Sequence, residues 1–144
     1  MGPRVVLDTN VLVSALRSRK GASYALLSQV GTGRFTLCLS VPLMLEYESV
    51  LLRQLRDTGL TRTDIEDVLD FLGLTGEPCT VYFRWRPYLK DPDDDMVLEL
   101  AVAAGCSRIV THNVRDFREL PHFAVEAVTP AEFLREIGEV PWVR

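Results

Sequence analysis

Val5-Val6-Leu7-Asp8-Thr9-Asn10 is the stretch whose reading decides the fold. Three apolar residues, two of them β-branched, read as a short buried strand. The strand runs straight into a carboxylate, a hydroxyl and an amide. Val11, Leu12, Ala15 and Leu16 then recur at helical spacing. A strand followed at once by a helix is the opening unit of a parallel α/β sheet. A carboxylate at the carboxyl end of the first strand stands where open α/β sheets bind their ligands.

Working outward, the same alternation continues. Strands are predicted at 4–8, 35–39, 80–83, 108–111 and 124–128. Helices are predicted at 10–17, 22–30, 42–55, 63–72, 92–104 and 130–137, with a short turn near 115–120. This pattern predicts an α/β protein with three layers, α/β/α, built on a mainly parallel five-stranded sheet. Thr129-Pro130-Ala131-Glu132 carries an N-cap, a proline at the first helical position and a capping-box glutamate. Thr63 and Glu66 have the same spacing, Gly105 reads as a helix C-cap, and Thr75-Gly76-Glu77-Pro78 reads as a turn.

The 144 residues suit one domain, 1–144, with a real core. At 47% hydrophobic and 25% charged residues, the class is globular. No apolar run approaches the roughly 18 residues of a membrane span, and Met1-Gly2-Pro3-Arg4 leads straight into a strand with no signal-peptide core, so the expected location is cytoplasmic. Cys38, Cys79 and Cys106 are scattered and odd in number. They read as reduced core residues rather than a zinc site, which would show paired spacing. The two histidines, His112 and His122, are not at ligand spacing, so any metal must be held by oxygen. The net charge of −4 argues against a general DNA-coating protein.

The acids are the candidates for that oxygen chemistry. Asp8 is either a helix N-cap or a ligand. Asn10 could cap equally well, which leaves the charge after a buried strand without a structural task. Glu46 is the first acid of an apolar helix, and Pro42, Glu46, Ser49 and Arg53 would also form an ordinary solvent stripe. Asp91-Pro92-Asp93-Asp94-Asp95 opens the next helix. Acids there face the positive end of the macrodipole, but one or two suffice, and four this close repel unless a cation joins them. Helical phase places Asp91 at the N-cap. It turns Asp94 inward with Leu98 and Ala101, and turns Asp95 toward water with Glu99. Thr111-His112-Asn113-Val114-Arg115-Asp116 follows another buried strand, so Thr111, Asn113 and Asp116 are expected on the rim of the crevice that holds Asp8, or as a cap pair. Carboxylates without histidine or thiolate specify a hard ion, Mg²⁺ or Mn²⁺.

These residues resemble the PIN-domain family, a small RNase-H-like nuclease fold, and within it the VapC-like toxin components of bacterial and archaeal toxin–antitoxin pairs. The likeness rests on Val5 to Val11, on Ser40 to Tyr47 with Val50 and Leu51, on Asp91 to Asp95 with Ala101, and on Ile109 to Asn113 with Asp116 and Phe117. The resemblance implies a metal-dependent endoribonuclease with sheet order 3-2-1-4-5 that leaves 5′-phosphate and 3′-hydroxyl ends. It gives Asp8, Glu46 and Asp94 as metal-binding catalytic acids. The fourth is Asp116 or its neighbour Asn113, because His112-Asn113 stands where the family often has an aspartate. Thr9, Asn10, Asp91, Thr111 and Asn113 would orient ligands or substrate. The resemblance further implies a homodimer and an antitoxin lying across the active-site groove. The apolar helices 22–30 and 42–55 are candidate interface surfaces or, equally, ordinary core.

RNA would meet basic groups around this acidic centre. Arg17, Arg19, Lys20, Arg53, Arg56 and Arg115 are candidates, as are Arg84 and Arg86, which alternate with Trp85 and Tyr88. The alternative for that last segment is a surface loop with its aromatics tucked inward. Two other functions fit the acids less well. A dehalogenase-like phosphatase would want a second aspartate where Asn10 stands, and a receiver domain would want a well-placed late lysine. A catalytically inactive PIN scaffold that binds RNA or a protein is the non-enzymatic alternative.

Overall fold

The computed structural model describes residues 2–81, 92–117 and 124–138. Its elements are β1 (Arg4–Leu7), α1 (Thr9–Arg17), α2 (Ala22–Ser28), β2 (Thr36–Leu39), α3 (Val41–Arg53), α4 (Leu55–Thr58), α5 (Arg62–Thr75), β3 (Glu77–Pro78), α6 (Pro92–Ala103), β4 (Arg108–Val110), a 3₁₀ turn (Val114–Phe117), β5 (Glu126–Val128) and α7 (Pro130–Glu136). The strands form one parallel sheet in the order β3-β2-β1-β4-β5. Strand order reverses at β1, so residues just beyond its carboxyl end sit at the switch point of the sheet.

The sheet is central because its strands are apolar on both faces, as parallel strands buried under helices must be. Val5, Val6, Leu7, Leu37, Cys38, Ile109 and Val110 are all buried. Phe35 and Phe133 close one end with an edge-to-face ring contact at 5.4 Å between centroids. Burying each side chain of this size contributes roughly 1.5–3 kcal/mol. Among the described residues no helix is long and apolar enough to cross a membrane.

Several local expectations need correction. The third strand is Glu77–Pro78, not 80–83, so the segment that reads as a turn is an edge strand. Pro78 lacks an N–H, which an edge position tolerates, and pairing continues through the Cys79 N–H to the Leu39 carbonyl at 2.7 Å. Positions 82 and 83 of the expected strand lie outside the described residues. Gly76 is needed just before β3, because a Cβ there would lie 2.9 Å from the Leu72 carbonyl oxygen as well as 2.6 Å from Leu39 Cδ1. The capping box of α5 is Thr61 with Asp64, one register earlier than Thr63 with Glu66. The earlier start turns Ile65 and Leu72 into the core. Helix α3 stops at Arg53, and a separate turn, α4, follows it. The Thr129–Glu132 box and the left-handed Gly105 after α6 stand as expected.

Candidate active site

Asp8 is the residue between β1 and α1 and serves as the helix N-cap, so the capping role is real. Its Oδ1 accepts from the Thr9 N–H at 2.8 Å. Its Oδ2 accepts from the Thr111 hydroxyl at 2.8 Å and from the Asn10 amide at 3.3 Å. The first bond would suffice for a cap. The other two draw the carboxylate toward β4, whose carboxyl end meets that of β1 through Asp8 N–H to Val110 O at 2.9 Å. Asp8 is 9% exposed and Thr111 is wholly buried, so the charge is held in a polar crevice rather than in open water.

A second ring of contacts fixes those partners. Thr111 Oγ1 accepts from the Asn113 N–H at 3.0 Å, and Asn10 Oδ1 accepts from the His112 N–H at 3.2 Å. The His112 ring shares a 2.9 Å hydrogen bond with the Ser23 hydroxyl. Burial pushes its pKa below the ordinary value while the Asp8 charge pulls the other way, so the ring is biased toward neutrality. Beneath the crevice, the fully buried Tyr47 donates its hydroxyl to the Leu7 carbonyl. Burial, reinforced by the Asp8 charge, holds that phenol well above its ordinary pKa.

The other expected acids come from three further elements, and among the described residues none of them joins Asp8 in a group of three ligating side chains within 4.8 Å. Glu46 on α3 and Asp94 on α6 are half-buried. Asp116 is exposed on the 3₁₀ turn, where its N–H donates to the Asn113 carbonyl at 2.9 Å. Thr9 is buried and Asn10 half-buried, and Asn113 is exposed. Asp91, Arg84 and Arg86 lie outside the described residues. Arg17 is exposed, 3.7 Å from Asp57, and forms part of a groove of about 460 Å³ shared with Asn10, Val50 and His112. Arg53 and Arg115 are exposed, Arg53 in the last turn of α3.

One orientation read from helical phase is wrong. Asp95 does not face water: it is 1% exposed, and Glu99 is 4% exposed. Val97, Leu98, Leu100 and Ala101 are buried as well, so among the described residues Asp95 lies on a covered part of α6. An i, i+4 acid pair inside an otherwise apolar helix was the signal for this in the sequence. Tyr47 was legible in the same way, spaced four residues from both Leu43 and Leu51 on the buried face of α3.

A concavity of about 890 Å³ lies between α3 and α5 and is lined mainly by apolar groups such as Met44, Leu45, Leu69 and Leu74. The polar chemistry is elsewhere, at Asp8. There the oxygen groups are the Asp8 carboxylate and the Thr111 hydroxyl, which suit a hard divalent cation better than a soft one. The three ligating groups that lie within 4.8 Å of one another among the described residues are instead Cys38, Glu77 and Cys79.

The chain belongs to the PIN-domain family, whose sequence model matches residues 4–115. The matched span holds Asp8, Glu46 and Asp94, and Asp116 lies just beyond it. No curated protein sequence matches the chain. Among solved structures, the fold is similar to a chain of VapBC2 from Rickettsia felis bound to a DNA fragment from their promoter. That likeness has a TM-score of 0.62 and 17% identity, covering 87% of this chain and 98% of that one.

Proposed function

We propose that this chain is a divalent-metal-dependent endoribonuclease and the toxin of a toxin–antitoxin pair, acting as a single domain. The observation that carries the reading is the buried Asp8 carboxylate at the switch point of the sheet, held by Thr111 from β4 and Asn10 from α1. Membership of the PIN family and the fold shared with a chain of VapBC2 support it.

Asp8, Glu46 and Asp94, with Asp116 or Asn113 as the fourth group, would hold Mg²⁺ or Mn²⁺. A bound divalent ion supplies a water of lowered pKa and relief of the negative charge that develops on the phosphate. The chain's own residues do the positioning. Thr111 and Asn10 fix the direction of the Asp8 oxygens, and His112 fixes Asn10 through its backbone N–H. A neutral His112 is not required as the base. Arg17, exposed in the adjoining groove, would meet a phosphate of the RNA backbone. A protein partner lying over the groove would restrain the activity, in keeping with the paired VapBC2 assembly.

The test is single-turnover cleavage of mixed-sequence RNA with Mn²⁺ and with chelator. Cleavage should require the metal, leave 5′-phosphates and disappear in Asp8→Asn while the fold persists. Metal-independent cleavage, or cleavage that survives Asp8→Asn, overturns the assignment. RNA binding without cleavage identifies the inactive scaffold instead.

A further inference from the structure

Three cysteines that are far apart in sequence meet in the fold. Cys38 is buried on β2, Cys79 is half-buried just after β3, and Cys106 is buried between α6 and β4. The pairing of β2 with β3 sets Cys38 opposite Glu77. The Sγ atoms of Cys38 and Cys79 and a carboxylate oxygen of Glu77 then lie within 4.8 Å of one another. The Cys38 thiol is also near enough to Cys106 for the two to perturb each other. Cys38 and Cys106 are free and buried in the core, as expected, but their approach to Cys79 is not visible in their spacing.

We propose that Cys38, Cys79 and Glu77, with Cys106 in reach as a further donor, bind a thiophilic divalent ion of the zinc class at a site separate from the Asp8 crevice. Zn–S bonds of about 2.3 Å in a tetrahedron set the sulfurs roughly 3.8 Å apart, so closing on the ion needs a contraction of about 1 Å at most. The donors are soft sulfur with one carboxylate, the set that selects zinc over magnesium. On binding, each ligating thiol gives its proton to solvent. Two thiolates and a carboxylate around a dication leave one net negative charge. Arg4 stands ready to offset it: its guanidinium is paired with Glu77, lies 3.9 Å from Cys79 Sγ and is fixed by a 2.8 Å bond from Nε to the Ala104 carbonyl.

The thiols of the cluster differ in pKa, and burial raises that of Cys79. The Cys38 thiol is pulled below its ordinary pKa, chiefly by the hydrogen bond from Cys106 and against the effect of burial. Cys106 is pushed up by the same bond and by burial. Access is through Cys79, which lies on the wall of a cavity of about 130 Å³ beside Ser40 and Thr80.

The test is titration of the reduced full-length chain with Co²⁺, whose thiolate charge-transfer absorption reports sulfur ligation directly. One Co²⁺ per chain should give the band, and Zn²⁺ should displace it. Cys38→Ser and Cys79→Ser should each weaken binding by about tenfold or more, whereas Asp8→Asn should leave the band intact. In the wild type, Zn²⁺ should also protect Cys38 and Cys79 from an alkylating reagent, a readout that survives if a serine variant fails to fold. No thiolate band, a band that persists in the double serine variant, or thiols that alkylate equally fast with and without Zn²⁺ overturns the proposal.

Discussion

Helices α5 and α6 each carry four acids, Asp64, Glu66, Asp67 and Asp70 on one and Asp93, Asp94, Asp95 and Glu99 on the other. On α5 the acids are surface groups. Asp64 closes a capping box, and Glu66, Asp67 and Asp70 are exposed. On α6, Asp95 and Glu99 are almost wholly buried and Asp94 is half-buried. Burying a carboxylate is costly unless hydrogen bonds, a counter-charge or a cation meet it. Acidic content alone therefore says little about a helix. What separates a solvated face from a candidate site is how much of the circumference the rest of the fold covers.

The comparison breaks most easily by activity. Asp94→Asn should lower single-turnover RNA cleavage at saturating Mn²⁺ by about 100-fold or more, and Asp70→Asn should leave it unchanged. Equal rates for the two variants would remove α6 from the active site. Metal should separate the helices next. A ligand at a hundredfold excess over its Kd stabilises the native state by about 2.7 kcal/mol, so millimolar Mn²⁺ should raise the melting temperature. Asp94→Asn should cut that rise and Asp67→Asn should not.

Stability without metal sharpens the contrast further. Asp95→Ala or Glu99→Ala strips a partner from a buried site and should cost roughly 1–3 kcal/mol in urea unfolding. Asp67→Ala should stay within about 0.5 kcal/mol of wild type. A neutral or stabilising Asp95→Ala would mean that the buried carboxylate is held at a cost for function. The smallest effect belongs to Glu77, just past α5. Its hydrogen bond with Arg4 keeps its pKa below the ordinary 4.5. The native state therefore holds this carboxylate's proton less tightly than the unfolded chain does. The resulting stability is fully present above pH 4.5 and is lost as pH falls through the lower native value. The gap between wild type and Glu77→Gln should close over that range and narrow with added salt. A gap that persists at pH 2 would assign it to packing.

The first six residues of the opening motif carried much of the fold. An apolar strand ending in Asp8 and a helix at helical period follow from local patterning, and the alternation of strands and helices along the chain gave the parallel sheet. Its order, centred on β1, came from family likeness, and the structure bears it out. Asp8 was legible because a carboxylate directly after a buried strand must be desolvated in part, and a neutral cap would avoid that cost. Its partner Thr111 was legible as a polar group at the end of a second strand. The bonds between them were not, since residues 103 positions apart meet only once β1 and β4 pair.

What sequence determined by itself is what depends on near neighbours: period, the cap at Thr129, glycine at Gly105, and the class of sheet. Tertiary structure decided what depends on surroundings. The side of α6 that holds Asp95 and Glu99 was set by the elements that cover it. The strand at Glu77–Pro78 was set by an available edge on β2, and the register of that pairing set Cys38 beside Glu77 and Cys79. Helical phase reports where a side chain points relative to its own helix, whereas burial depends on what the rest of the chain places there.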